Sequence, residues 1–153
     1  MPSASNRRIV VAVDFSPGSA RAVREAVRIA RERDELVLVH VARKLEPAIP
    51  WSSVNRRVVA KLARRAQADA RAALTAIAER LAPRVRTHVS VGVAHEQILA
   101  EARRLRANLI VIGAQGQTLS ERLLLGSTAE RVIRKATVPV LVVPAPLRRH
   151  RRV

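Results

Sequence analysis

Short apolar runs alternate with longer amphipathic stretches along the chain. The runs are typical of buried parallel strands, whose two faces are both covered. Strands are predicted at residues 8–13, 35–41, 85–91, 107–112 and 138–143. Between them, aliphatic residues recur at helical spacing near 17–30, 58–81, 96–106 and 128–134. This alternation predicts an α/β fold with a five-stranded parallel sheet and helices on both faces. The half-polar third strand and Pro139 within the last predicted strand indicate two edge strands.

A glycine-containing loop connects the fourth strand to the fourth helix. Gly113 and Gly116 follow the strand, and Gly126 precedes the helix. Glycines let backbone N–H groups approach a ligand, and a helix N-terminus adds unpaired donors and a positive dipole end. The spacing predicts a phosphate-binding loop, although tight turns alone explain the glycines equally well.

The end of the first strand should lie beside this loop, because ligands of parallel sheets bind at the carboxyl ends of the strands. Asp14 stands there and suits a ribose hydroxyl or a metal-bound water, with an N-terminal helix cap as its alternative. Ser127 and Glu130 have the spacing of a capping box, which is compatible with ligand binding. Thr128 either contacts a phosphate or faces solvent.

The motifs of efficient phosphoryl transfer do not occur. The chain has neither the P-loop lysine pattern nor a dinucleotide fingerprint after its first strand. Arg122 either reaches a phosphate or is a solvated charge, and His40, within an apolar strand, is expected to be a satisfied core histidine. Binding is therefore better supported than catalysis.

Composition adds a strong positive charge. Lys and Arg number 29 against 12 acids, a net charge of +17 over 153 residues, and no cysteine is present to form a disulfide or thiolate site. Either the arginines cover solvated helix faces, or they bind nucleic acid. Phe15 and Trp51 are the only aromatic residues, so a base-stacking platform is excluded.

We expect a single domain over residues 7–146, with residues 1–6 and 147–153 as flexible termini. No apolar run approaches the roughly 20 residues that cross a bilayer, and the N-terminus lacks an apolar signal core. A cytoplasmic protein without a membrane partner is expected.

The glycine spacing resembles the signature of the universal stress protein family, in the branch that binds ATP. That signature, Gly-x2-Gly-x9-Gly-Ser/Thr, is matched by Gly113, Gly116, Gly126 and Ser127. The resemblance extends from Arg8 to Pro144. Its further landmarks are residues 13–16, 39–41, 91–98, 130–133 and 138–143.

The resemblance implies a Rossmann-like fold of the adenine nucleotide alpha hydrolase type, with strand order 3-2-1-4-5. It also implies a homodimer that pairs the last strands, Val138 to Val143, in antiparallel fashion. Asp14 would line the nucleotide pocket and the backbone of Val41 would meet the adenine. Ribose and phosphates, with Mg²⁺ or Mn²⁺, would be surrounded by Gly113, Gly116, Gly126, Ser127 and Thr128.

We therefore expect an ATP-binding universal stress protein that acts as a nucleotide-dependent stress-response regulator without efficient turnover. ATP, ADP, AMP and cyclic AMP share the groups that such a site contacts. Ala129 and Gln115 replace side chains that some relatives direct at the ligand. The alternatives are a slow ATP hydrolase of the same fold, or a basic protein that binds nucleic acid or acidic partners.

Overall fold

The computed structural model describes residues 6–81, 84–116 and 125–145. The strands are β1 (Arg8–Ala12), β2 (Glu35–Ala42), β3 (Val85–Val91), β4 (Leu109–Gly113) and β5 (Val140–Val143). The helices are α1 (Pro17–Ile29), α2 (Arg56–Glu79), α3 (Ala94–Arg104) and α4 (Ser127–Lys135), and a short 3-10 turn covers Trp51–Ser53. The predicted alternation is confirmed, since every predicted element is present with ends shifted by at most two residues.

All four strand pairs are parallel, and the sheet order is β3-β2-β1-β4-β5. The order implied by the family resemblance is therefore confirmed. The central strand β1 is closed off from water, with Ile9, Val10 and Val11 fully buried. Both edge predictions are also correct, because β3 and β5 flank the sheet.

Helices cover both faces of the sheet, as predicted. Successive residues of a strand point to opposite faces, so neighbouring valines of β1 enter different halves of the core. On one face α3 and α4 bury residues such as Val10, Val37, Ile98, Ile110 and Val132. On the other face α1 and α2 bury residues such as Ile9, Leu38, Ala22, Leu74 and Val111.

An ion pair between the half-buried Arg7 and the buried Asp34 lies at the amino end of the sheet. The Asp34 carboxylate accepts hydrogen bonds from Arg7 Nε at 3.0 Å and from the Arg31 N–H at 2.9 Å. Burial raises the pKa of Asp34, but these bonds to Arg7 and to backbone N–H groups outweigh it and hold the pKa below its ordinary range.

No helix within the described ranges is long and apolar enough to cross a membrane.

Candidate functional site

The segments that follow β1 and β4 meet at the carboxyl end of the sheet. The two strands are neighbours, with Val11 paired to Val111. A Cβ built on Gly116 would lie only 2.7 Å from Asp14 Oδ2. Asp14 and the glycine loop therefore come together as the sequence predicted. A side chain at position 116 would have to displace the carboxylate.

The backbone of the first turn of α1 packs directly against the same loop, with no side chain between them. A Cβ on Gly18 would lie 2.3 Å from the carbonyl oxygen of Gln115, and a Cβ on Gly113 would lie 2.8 Å from the Gly18 carbonyl. Neither position has room for a methyl group. Sequence reasoning missed Gly18, although a glycine directly after Pro17 in a first helical turn is a usable signal, since alanine would favour the helix there.

Asp14 does not cap α1, so its alternative interpretation as an N-terminal helix cap is wrong. The N-cap of α1 is Ser16, whose Oγ accepts the N–H of Ser19 at 3.1 Å. Asp14 Oδ1 accepts the N–H of Ser16 at 3.0 Å and also the Ser16 hydroxyl. The buried Ser16 thus holds the carboxylate at the edge of the sheet, and the turn between β1 and α1 fixes its position.

An aromatic residue with unusual backbone geometry separates Asp14 from this cap. Phe15 has φ of 62°, a left-handed conformation that is rare for a bulky residue and is often found at functional sites. Its ring packs on His40, with centroids 4.6 Å apart. His40 Nδ1 lies 2.8 Å from the carbonyl oxygen of Val13, so Nδ1 carries the proton and donates. The prediction is confirmed in that the ring nitrogen has a hydrogen-bond partner, but His40 is half-buried and does not lie in the fully buried core.

Val41, the residue expected to meet adenine, follows His40 near the end of β2. It is half-buried and pairs with Ser90 of β3. Its side chain packs on the core face that α3 and α4 cover. Val41 therefore lies at the same carboxyl end of the sheet as Asp14, one strand away.

The N-terminus of α4 is tied directly to the loop after β4. Gly126 is its N-cap, and the N–H of Gly126 donates to the Ala114 carbonyl at 2.6 Å. The capping-box interpretation of Ser127 is wrong, because Gly126 takes the cap position and its carbonyl accepts the N–H of Glu130 at 2.9 Å. The Glu130 side chain instead pairs with Arg134 at 2.9 Å.

Ser127 is consequently the first residue of α4 and is exposed, and Thr128 is half-buried. The first N–H groups of a helix have no partner within it and carry its positive dipole end. Ser127 and Thr128 therefore add hydroxyl groups to an anion-attracting helix end. Arg122, for which a phosphate contact and a solvated charge were the two alternatives, lies outside the described residues.

Metal-binding side chains do not cluster in the described parts of the chain, where no group of three His, Asp or Glu residues is close enough to hold an ion. His88 lies 3.6 Å from Glu101, and His95 is buried in α3. The described residues thus bring the Asp14 carboxylate, the backbone at Gly113 and Gly116, and the N-terminus of α4 to the same end of the sheet.

Comparison with known protein families and proteins finds matches to nearly the whole chain. The model of the universal stress protein family matches residues 5–144. Universal stress protein MJ0531 of Methanocaldococcus jannaschii is 33% identical over 141 residues, which cover 92% of this chain and 83% of that protein. Universal stress protein A homolog 1 of Coxiella burnetii is 30% identical over 139 residues, with coverage of 90% and 95%.

Solved structures share the fold. Protein MJ0577 of Methanocaldococcus jannaschii superposes with a TM-score of 0.79 at 28% identity, over 90% of this chain and 94% of that one. A universal stress protein in complex with cAMP gives a TM-score of 0.65 at 25% identity, with coverage of 90% and 96%. The universal stress protein of Archaeoglobus fulgidus in complex with dAMP gives 0.56 at 25% identity, with the same coverage.

Proposed function

This chain belongs to the universal stress protein family, and on that premise we propose that it binds an adenine nucleotide where β1, β4 and α4 meet. One observation carries the proposal. Gly116 lies so near Asp14 that a Cβ there would meet the carboxylate, while the N–H of Gly126 joins the N-terminus of α4 to the Ala114 carbonyl of the same loop. The proposed binding residues are Asp14, Val41, Gly113, Gly116, Gly126, Ser127 and Thr128.

Each group has a role that its chemistry supports. The phosphates would lie on the backbone N–H groups of the loop and of the α4 N-terminus, with the hydroxyls of Ser127 and Thr128 beside them. Asp14 would accept a hydrogen bond from a ribose hydroxyl. The backbone of Val41 would pair with the adenine edge.

ATP is the proposed nucleotide, and the same site suits ADP, AMP and cyclic AMP through their shared adenosine. The complexes of two family members with cAMP and dAMP support recognition of the adenine nucleotide class. Mg²⁺ or Mn²⁺ would be held mainly by the phosphates, because the described residues offer no donor cluster of their own. We propose that the bound nucleotide switches a stress-response regulator without efficient turnover.

Calorimetric titration with Mg-ATP tests the site. Wild type should bind saturably, and Gly116→Val should bind at least about tenfold more weakly, a loss of about 1.4 kcal/mol, because the new side chain meets the Asp14 carboxylate. Ala100→Val introduces a valine at an exposed position of α3 and is the matched control. Absence of saturable binding by wild type, or equal binding by Gly116→Val, would refute the proposal.

Two further measurements define the ligand and the fate of ATP. Nucleotide released on denaturing the freshly purified protein identifies the bound species by its retention and mass. Phosphate release that scales with the protein concentration and is lost in Asp14→Ala would show that the protein is a slow ATP hydrolase and not a regulator without turnover. We expect release at the level of the buffer control.

We also propose a homodimer through the outer edge of β5. The carbonyls of Pro139 and Val143 accept N–H groups of β4 and its loop, so the alternate residues Val140 and Val142 direct their backbone groups outward. Val142→Pro should therefore abolish pairing at this edge while sparing the β4–β5 ladder, whereas Val142→Thr keeps the N–H. Sedimentation velocity should show a dimer for wild type and Val142→Thr and a monomer for Val142→Pro; a Val142→Pro dimer would contradict this interface.

A further inference from the structure

Helix α2 is longer than the strand beside it. Its residues Arg56–Glu79 span ~36 Å at ~1.5 Å per residue, whereas Val85–Val91 of β3 span ~23 Å at ~3.3 Å per residue. The C-terminal half of α2 packs on the sheet and buries Leu74 completely. The N-terminal half extends past the sheet, and its inward positions, such as Val59 and Ala63, stay half-buried.

A groove of about 600 Å³ lies under this overhang, within the size range of small-molecule sites. Between α2, the segment after β2 and the end of β3, it is lined mainly by apolar side chains. Leu45, Trp51 and Val91 line it yet remain 41%, 48% and 40% exposed. These side chains expose apolar surface to water. A ligand that covers this surface would gain binding free energy of about 25 cal/mol per Å².

The polar part of the groove is positively charged. Arg43, Lys44 and Arg56 line it, and none of its described lining residues is acidic. These three cations form no ion pair within residues 6–81, 84–116 and 125–145. Their charges are therefore available to an anionic group on a ligand whose body is apolar.

The length of the groove along α2 favours an extended ligand. Its helical lining runs from Arg56 to Gln67, ~16 Å at ~1.5 Å per residue. Along that face the groove is lined by the small side chains of Ala60, Ala63 and Ala66. These small side chains leave space beside α2, along which one extended hydrocarbon chain can lie.

We infer that this groove, which shares no residue with the proposed nucleotide site, binds a single-chain anionic amphiphile of the fatty-acid class. The carboxylate is held by Arg43, Lys44 and Arg56. The hydrocarbon chain lies along α2 toward Gln67 and covers Trp51 and Val91.

Trp51 is the only tryptophan of the protein, so its fluorescence reports on the groove. Titration with dodecanoate, kept below its micelle concentration, should shift Trp51 emission to the blue with a saturable, single-site curve. Octanoate should bind more weakly, by about fourfold for each methylene removed. Dodecyltrimethylammonium has the same chain with the opposite charge and should not bind.

Variants locate the ligand. Ala63→Phe fills the groove and should abolish the shift, whereas Ala72→Phe places the same side chain on the exposed side of α2 and should bind as wild type does. Arg43→Gln combined with Arg56→Gln should weaken dodecanoate at least about tenfold, the value of charge-assisted contacts. Gly116→Val, which blocks the nucleotide site, should leave dodecanoate binding unchanged.

Several results would overturn the inference. They are no saturable shift with dodecanoate, equal binding of the cationic amphiphile, and equal loss in Ala63→Phe and Ala72→Phe. Binding to anionic phospholipid vesicles without binding of monomeric dodecanoate would make the groove a membrane-contact surface instead. Sedimentation that shows Ala63→Phe breaking a dimer, with no dodecanoate bound by wild type, would assign the groove to a second copy of the chain.

Discussion

Replacement of Gly18 by alanine adds one methyl group between the first turn of α1 and the loop after β4. That methyl carbon would lie 2.3 Å from the Gln115 carbonyl oxygen, whereas ordinary contacts begin at 3.4 Å. The overlap is about 1 Å, and its obstacle is main chain, so no side-chain rotation relieves it. Either α1 or the loop that carries Gly116 must move.

Two effects of this substitution oppose each other. Alanine stabilises a helical position by about 0.5–1 kcal/mol relative to glycine. Overpacking costs about 1–3 kcal/mol, and more where backbone must shift. Because Gly18 meets backbone, we expect the overpacking to win, with a net loss of about 1–2 kcal/mol. For a domain of this size the melting temperature should fall by about 2–8 °C.

Thermal unfolding followed by circular dichroism measures the change. Ala20→Gly, an exposed position in the same helix, measures the propensity effect separately and should cost about 0.5–1 kcal/mol. Gly18→Ala should also weaken Mg-ATP binding, since the displaced loop carries the phosphate-binding backbone. A Gly18→Ala protein as stable as wild type would show that α1 and the loop do not approach this closely.

Three further changes test the core and its charge pairs. Leu74→Ala should lower the free energy of unfolding in urea by about 2–5 kcal/mol, because Leu74 is fully buried. Asp34→Asn should cost about 1–3 kcal/mol at pH 7. The folded pKa of Asp34 lies below its ordinary value, so this stabilisation is present above about pH 4 and is lost as the pH falls through the folded pKa; a deficit equal at pH 7 and pH 2 would refute the pairing with Arg7. Glu101→Gln should show the same dependence on pH with a smaller loss of unfolding free energy, under about 1 kcal/mol. The pKa of Glu101 is lowered mainly by a hydrogen bond from Arg104, which is largely exposed.

The fold was largely predictable because its signals are local and repeated. The switch between strand runs and helical spacing placed each of the described strands and α-helices, and Pro139 together with the half-polar third strand located both sheet edges. The strand order was a different matter. Alternating strands and helices are compatible with several orders of a parallel sheet, so the order had to come from the family resemblance.

The site was less predictable, because backbone angles decide which residue caps a helix. Several neighbouring residues have side chains that suit the cap position, and the sequence does not say which one takes it. Ser127-x-x-Glu130 has the spacing of a capping box, yet the extended cap conformation falls on Gly126, one residue earlier. Likewise Ser16, and not Asp14, caps α1. The contact of Gly18 with Gln115 joins residues far apart in the chain, and no local pattern encodes such a distance.

The net charge of +17 bears on how any nucleotide affinity must be interpreted. A strongly positive protein attracts every polyanion and accelerates its association, and added salt screens that attraction. A close contact between phosphate and backbone at the glycine loop is screened much less. Gly116→Val leaves the charge of the protein unchanged and alters only the contact with Asp14. Affinity for ATP that survives physiological salt in wild type and disappears in Gly116→Val therefore belongs to the loop, whereas affinity that salt removes from both proteins belongs to the arginines.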